Sequence, residues 1–169
     1  MNPKTSLLAI ALLALVPTIA SAVDPVGNGA LAVPANRIVG LWSTQGAVGP
    51  CGTNVFPIQV LNTLLFHAGG TVVEMPRFPP NGVVTALGTS QRGQALGTWS
   101  YNPNTQQYSM HLRFDWFVNN AYHGYATVDR EILLSNGGEQ AAGPVRSTRY
   151  AANGSTISEV CGSAVSTRL

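Results

Sequence analysis

Residues 106–134 alternate so regularly between apolar and polar side chains that a half-buried antiparallel hairpin is the natural reading. On its first strand Met110, Leu112, Phe114, Trp116 and Val118 share one face. Ser109, His111, Arg113 and Asp115 share the other, with Phe117 as the exception. On its second strand Tyr122, Gly124, Ala126, Val128, Ile132 and Leu134 fall together, opposite His123, Tyr125, Thr127, Asp129 and Glu131, with Leu133 as the exception. A slip of one residue exchanges the faces, so the turn decides the register. A two-residue turn at Asn119-Asn120 sets Trp116 opposite His123 and Met110 opposite Asp129. A three-residue turn over 119–121 sets Val118 opposite Tyr122, Phe114 opposite Ala126 and Leu112 opposite Val128. The second register keeps one face apolar and one polar, and is preferred. It also sets His111 opposite Asp129 and Arg113 on the diagonal to Glu131.

One residue breaks the apolar face. Arg130 falls opposite Met110, between Val128 and Ile132. A charge in that position is costly unless it is paired. It has a buried acidic partner, escapes through a bulge, or holds an anionic ligand. Arg suits the last role, since its planar fork donates two parallel hydrogen bonds to a carboxylate.

The rest of the chain reads as strands of the same kind. They cover 37–45, 58–67, 71–76, 95–101, 106–118, 122–134, 144–151 and 155–168, and no segment has a convincing helical period. Turn signals separate them at Ala68-Gly69-Gly70, Asn102-Pro103-Asn104, Asn136-Gly137-Gly138 and Asn153-Gly154. Residues 77–94 form a long loop with Pro79-Pro80, in which Val83-Val84 is a candidate short strand. About eight antiparallel strands in succession predict an all-β, up-and-down barrel or a sandwich.

The chain start has the pattern of a signal peptide over 1–22: Lys4, an apolar run from Leu7 to Val16, and Ala20-Ser21-Ala22. A secreted or periplasmic protein is expected. Residues 23–36, rich in Gly, Pro and Ala, read as a flexible lead-in to one domain over 37–169. Lys4 is the only lysine, so the mature chain carries eight Arg against seven acids. That balance gives no electrostatic case for nucleic acid or for a membrane surface. Charged residues are 9% of the chain, against roughly 25% in ordinary globular proteins. Cys51 and Cys161 are the only cysteines. In an oxidising compartment such a pair reads as a disulfide, and closing a loop of this length contributes up to ~4–5 kcal/mol in the chain-entropy description.

Motifs for cofactors and metals are missing. Gly46 to Thr53 is glycine-rich but lacks the Gly-Lys-Ser/Thr of a phosphate loop. His111 and His123 share a face yet lie about 20 Å apart along the hairpin, too far for one metal, and His67 belongs at a rim. No cofactor is expected.

Gly40-Leu41-Trp42 resembles the opening motif of the calycins, the lipocalins, fatty-acid-binding proteins and avidins. Other segments resemble small exported bacterial lipocalin-like β-barrel proteins without an assigned function. They are Leu65-Phe66-His67-Ala68-Gly69-Gly70-Thr71-Val72, Gly97-Thr98-Trp99, Ile132-Leu133-Leu134-Ser135-Asn136-Gly137-Gly138, Cys161-Gly162-Ser163-Ala164 and Arg168-Leu169. The resemblance implies a barrel whose cup holds a small apolar molecule, with Arg168 stacked on Trp42 at the closed end in a structural role. Paired residues of two antiparallel strands have a constant sum of numbers. Trp42 with Arg168 sums to 210 and Cys51 with Cys161 to 212. One register of first and last strands therefore brings both pairs together. Lipocalins usually carry a helix beside the barrel, and none is read here, which leaves room for the related barrel of dirigent proteins and allene oxide cyclases.

Three readings of function follow. The preferred one is non-enzymatic: a barrel that binds a small hydrophobic, in its sharper form acidic, ligand. Met110, Leu112, Phe114, Trp116, Tyr122 and Val128 would line it, with Arg130 as anchor. The second is a dirigent- or cyclase-like enzyme, which needs polar groups inside the barrel. The third is a structural or interaction module with a filled core. Oligomeric state is not encoded in any feature read here.

Overall fold

The computed structural model describes residues 33–169. The signal peptide expected over 1–22, and residues 23–32 of the lead-in, lie outside the described residues. Ten strands follow a short 3-10 helix, Pro34–Ile38. They are β1 Gly40–Pro50, β2 Ile58–Phe66, β3 Thr71–Pro76, β4 Val83–Thr85, β5 Gly88–Arg92, β6 Ala95–Asn102, β7 Gln107–Val118, β8 Ala121–Leu134, β9 Gln140–Ala151 and β10 Thr156–Arg168. Eight of them, β1, β2, β3, β6, β7, β8, β9 and β10, pair in that order, and β10 returns to β1. The result is a closed antiparallel barrel. Short β4 pairs with β5, and β5 continues β6 along the same edge of β7, interrupted at Gly93-Gln94. The Val83-Val84 strand inside the long loop is thus present.

β1 and β10 pair without interruption from Trp42 opposite Arg168 to Pro50 opposite Val160. Every pair sums to 210, the value that Trp42 and Arg168 set. Cys51 lies just past the end of β1 and bonds to Cys161, with Cα atoms 4.8 Å apart. The first strand was expected to end near residue 45, because Gly46 to Pro50 resembled a turn. It runs on to Pro50. Gly49 is needed for close approach rather than for a bend: a Cβ there would stand 1.9 Å from the Val55 carbonyl oxygen. Similarly, β9 begins at Gln140 rather than 144, since its first residues lack the large apolar side chains that mark a strand.

The β7–β8 hairpin combines both turns considered for it. Asn119 and Asn120 both have positive φ (50° and 66°), the signature of a tight two-residue turn. Phe117 pairs with Tyr122, but Trp116 pairs with Gly124, so His123 is one residue too many. This bulge shifts the register by one. Beyond it the pairs are Phe114 with Ala126, Leu112 with Val128, His111 with Asp129 and Met110 with Arg130, as the three-residue turn required. Gly124 carries φ 150°, and a Cβ there would meet the Tyr150 carbonyl oxygen at 2.0 Å. Arg113 does not reach Glu131; it lies over the Tyr125 ring at 4.1 Å, while Ser109 donates to Glu131.

The turns after β2, β6 and β8 gather at one end with the start of β1, and that end is filled. Ile38, Trp42, Phe66, Trp99, Tyr108 and Ile132 are buried there as one cluster. The 3-10 helix, unforeseen in the sequence, closes it: Pro34 presets the first turn, and Ile38 is fully buried. The lead-in is therefore ordered from Pro34 onward. Trp42 Nε1 donates to the Ile38 carbonyl at 2.8 Å, and the Tyr108 hydroxyl donates to the Pro34 carbonyl. The Trp99 indole donates to His67 and Thr71 carbonyls. Arg168 lies 4.3 Å from the Trp42 ring centroid and donates to the carbonyls of Arg37, Val39 and Gly138.

Arg168→Met keeps the stem that packs on Trp42 but removes the donors for three carbonyls. Urea unfolding is expected to show a loss of roughly 2–4 kcal/mol, since each unsatisfied buried acceptor is costly. Arg146→Met, which removes an exposed pair with Glu159, is expected to leave the midpoint in place. Equal midpoints for the two variants would show that Arg168 is not a closing element.

Candidate ligand-binding cavity

Inward-facing residues on the opposite side of the filled cluster do not meet across the barrel. They leave a cavity of about 380 Å³. It opens at the end that carries the β1–β2, β7–β8 and β9–β10 turns. Met110, Leu112, Phe114 and Trp116 of β7 and Val128 of β8 line it, as expected from the hairpin. Tyr122 does not. It precedes the bulge, so it shares the outer face with Phe117, at 6.0 Å between rings, and is 47% exposed. The bulge at His123 restores the inner face only from Gly124 onward.

Arg130 is on the inner face and 3% exposed. Among the described residues no carboxylate pairs with it. Its Nη1 donates to Ser166 Oγ at 3.0 Å and its Nη2 to the Ala164 carbonyl at 2.9 Å, both on β10. Its Nε has no partner. Since Arg can only donate, the Ser166 hydroxyl accepts from it. Ser166 is then free to donate to Thr44 Oγ1, 2.7 Å away. Burial pushes the Arg130 pKa down to about 10. The group is still charged at neutral pH, and the folded state bears the cost of that charge at every pH below this value. The shift corresponds to ~3 kcal/mol against folding. The cost fades only as pH climbs through the folded pKa.

A second polar group faces the cavity from β2, β3 and β5. Glu74 is 2% exposed. Arg92 Nη2 pairs with its Oε2, Arg92 Nη1 donates to Oε1 at 3.4 Å, and Asn62 Nδ2 donates to Oε1 at 2.7 Å. The Arg92 guanidinium stacks 3.6 Å from the Phe114 centroid. Asn62 Oδ1 and Arg92 Nε are buried without partners. At the mouth, Arg149 of β9 lies 4.7 Å from the Trp116 centroid, and His123 packs edge-on against the same indole at 4.5 Å. Partial burial, then the neighbouring Arg92, pull the Arg149 pKa below its ordinary value, although its side chain still reaches water.

Three arginines, Arg92, Arg130 and Arg149, therefore bring their guanidinium groups to the cavity against one acid, Glu74, while Arg77 borders it with its guanidinium donating to Ser43 Oγ at 3.1 Å. Arg130 was visible in the sequence as a charge on an apolar face. Glu74, Arg92 and Arg149 were not. Glu74 shares its parity with buried Val72, and Arg149 shares its parity with Val145, so strand parity was the available signal. Arg92 belongs to β5, inside the stretch read as a loop.

No protein-family model matches the chain, and no curated protein matches it. Among solved structures the chain is similar to Rv2717c from M. tuberculosis, at 14% identity and a TM-score of 0.39, over 83% of this chain and 98% of that one.

Arg130→Met exchanges an unpaired buried cation for an apolar side chain of similar length. Denaturant unfolding is expected to show a gain of roughly 1–3 kcal/mol, as when buried charges give way to packed apolar groups. A loss of stability would instead mark Arg130 as a structural tie between β8 and β10.

Proposed function

We propose that the protein is an exported binding barrel for a small apolar molecule bearing an anionic group. The observation that carries this reading is Arg130: a charged, buried side chain in a roomy cavity, with no carboxylate beside it and a free N–H. An internal acid partner would have explained the charge without a ligand, and among the described residues none is present. The apolar walls of β7 would take the body of the molecule, and the cationic lining would favour its acidic head. The third reading, a barrel packed solid, is opposed by the cavity itself.

The enzyme reading keeps one supporting observation, the polar cluster of Glu74, Arg92 and Asn62 inside the barrel. Both Glu74 oxygens are already engaged by Arg92 and Asn62. A carboxylate so occupied is a poor proton acceptor for a substrate, which favours binding over catalysis.

Quenching of tryptophan fluorescence, with Trp116 in the wall, reports occupancy. Decanoic acid is expected to bind the mature protein at least roughly tenfold more tightly than decanol, since a hydrogen bond to a charged group contributes ~1.5–3 kcal/mol. Arg130→Met is expected to abolish that preference. Equal binding of acid and alcohol by the unaltered protein would remove the anion anchor. For export, the expected outcome is a secreted or periplasmic protein whose N-terminal residue, read by sequencing, is Val23; an intact Met1 terminus would overturn it.

A further inference from the structure

The cavity carries positive charge at two levels rather than one. Arg130 marks the floor. It pairs with Met110 on one side and Val145 on the other, and its hydroxyl partner Ser166 lies two residues from Arg168 and the filled end. Arg149 marks the mouth. It pairs with Ala126, which pairs with Phe114, and its guanidinium reaches further out, over Trp116. From Ala126 to Arg130 along β8 is four residues, or ~13 Å at about 3.3 Å per residue. Between the two levels the β7 and β8 side of the wall is apolar, made of Met110, Leu112, Phe114 and Val128, with Ser147 of β9 beside Val128.

Neither pole is neutralised. Arg130 has no acid beside it, and its Nε is unpartnered. Arg149 has no ion pair among the described residues and rests only on the indole face. Its neighbour Arg92 is bound to Glu74, yet Arg92 Nε is also buried without an acceptor. Glu74 offsets Arg92, so the cation at the mouth without an acid is Arg149. A ligand with a single acidic head satisfies the floor and leaves the mouth as it was.

We infer that the ligand class is dianionic: an apolar body with an acidic group at each end, one held by Arg130 at the floor and the other by Arg149 at the mouth. This rests on the binding reading above and extends it. The required molecule is a linear or flat apolar acid of the α,ω-dicarboxylate kind, with its two charges set about as far apart as the two arginine levels.

The test compares decanoic acid with its dicarboxylate counterpart sebacic acid, and sebacic acid with the shorter adipic acid, on the mature protein by titration calorimetry. Sebacic acid is expected to bind roughly tenfold or more tightly than decanoic acid, the gain from a second charge-assisted contact. Adipic acid, too short to reach both levels, is expected to lose that advantage. Arg149→Gln, an exposed position whose change circular dichroism should show to leave the fold intact, is expected to make sebacic and decanoic acids bind alike. Decanoic acid binding as tightly as sebacic acid, or Arg149→Gln weakening both acids to the same degree, would overturn the dianion inference and leave the Arg130 anchor standing. Failure of all three acids to bind would overturn both.

Discussion

A single guanidinium closes the filled end of the barrel. Arg168 stacks on Trp42 and gives its N–H groups to carbonyls of the 3-10 helix, the start of β1 and the β8–β9 turn. The first two are consecutive in the chain, the third lies about 100 residues further on, and Arg168 joins them at one point. A lysine could not do this, because its single ammonium lacks the planar spread of donors that reaches several acceptors while a face stays on the ring. With this end closed and packed, the barrel becomes a cup. The apolar residues needed to fill its lower half are concentrated there, and the upper half stays open.

The distribution of charge follows a different logic from that of most small domains. The chain has few charged residues, and three of its eight arginines, Arg92, Arg130 and Arg149, bring their guanidinium groups to the interior or its mouth. Buried cations reduce stability, and Arg130 carries that cost with no acid to offset it. Local rules of this kind are usually broken where a protein binds something. The hydroxyl pair of Ser166 and Thr44 and the amide of Asn62 extend the polar lining around the wall. The cup is therefore apolar in area and cationic in potential, a combination that the proposed amphipathic anion would match better than a neutral apolar molecule.

Much of this was legible in the residues, and the misses have physical causes. Strand parity alone placed five of the expected wall residues and the Arg130 anchor on the inner face. The register of first and last strands followed from Trp42, Arg168 and the two cysteines. Tyr122 was misplaced because a bulge is a backbone event: nothing in the side-chain alternation distinguishes a three-residue turn from a two-residue turn with one extra residue below it. The glycine-rich end of β1 looked like a turn because close packing and chain reversal both demand glycine. The 3-10 helix escaped because five residues are too few to show a period. Arg149 sits in a strand whose inner positions are mostly small or polar, and Glu74 in a strand of six residues, so the pattern that revealed β7 was too weak or too short to orient them.

One seam in the ring differs from all the others. Every other neighbouring pair of barrel strands is connected by a turn or loop of the chain, whereas β1 and β10 are held by their ladder, by the Thr44–Ser166 hydroxyl pair, by Arg168 at the base and by the Cys51–Cys161 bond at the rim. Widening the cup at its lip without unravelling a hairpin means parting this seam from the top. The sulfur bridge is placed where such a parting would begin. The bond thus ties the two chain-distant strands covalently at the rim, 110 residues apart in sequence, so that the seam is fastened at the lip as well as at the base.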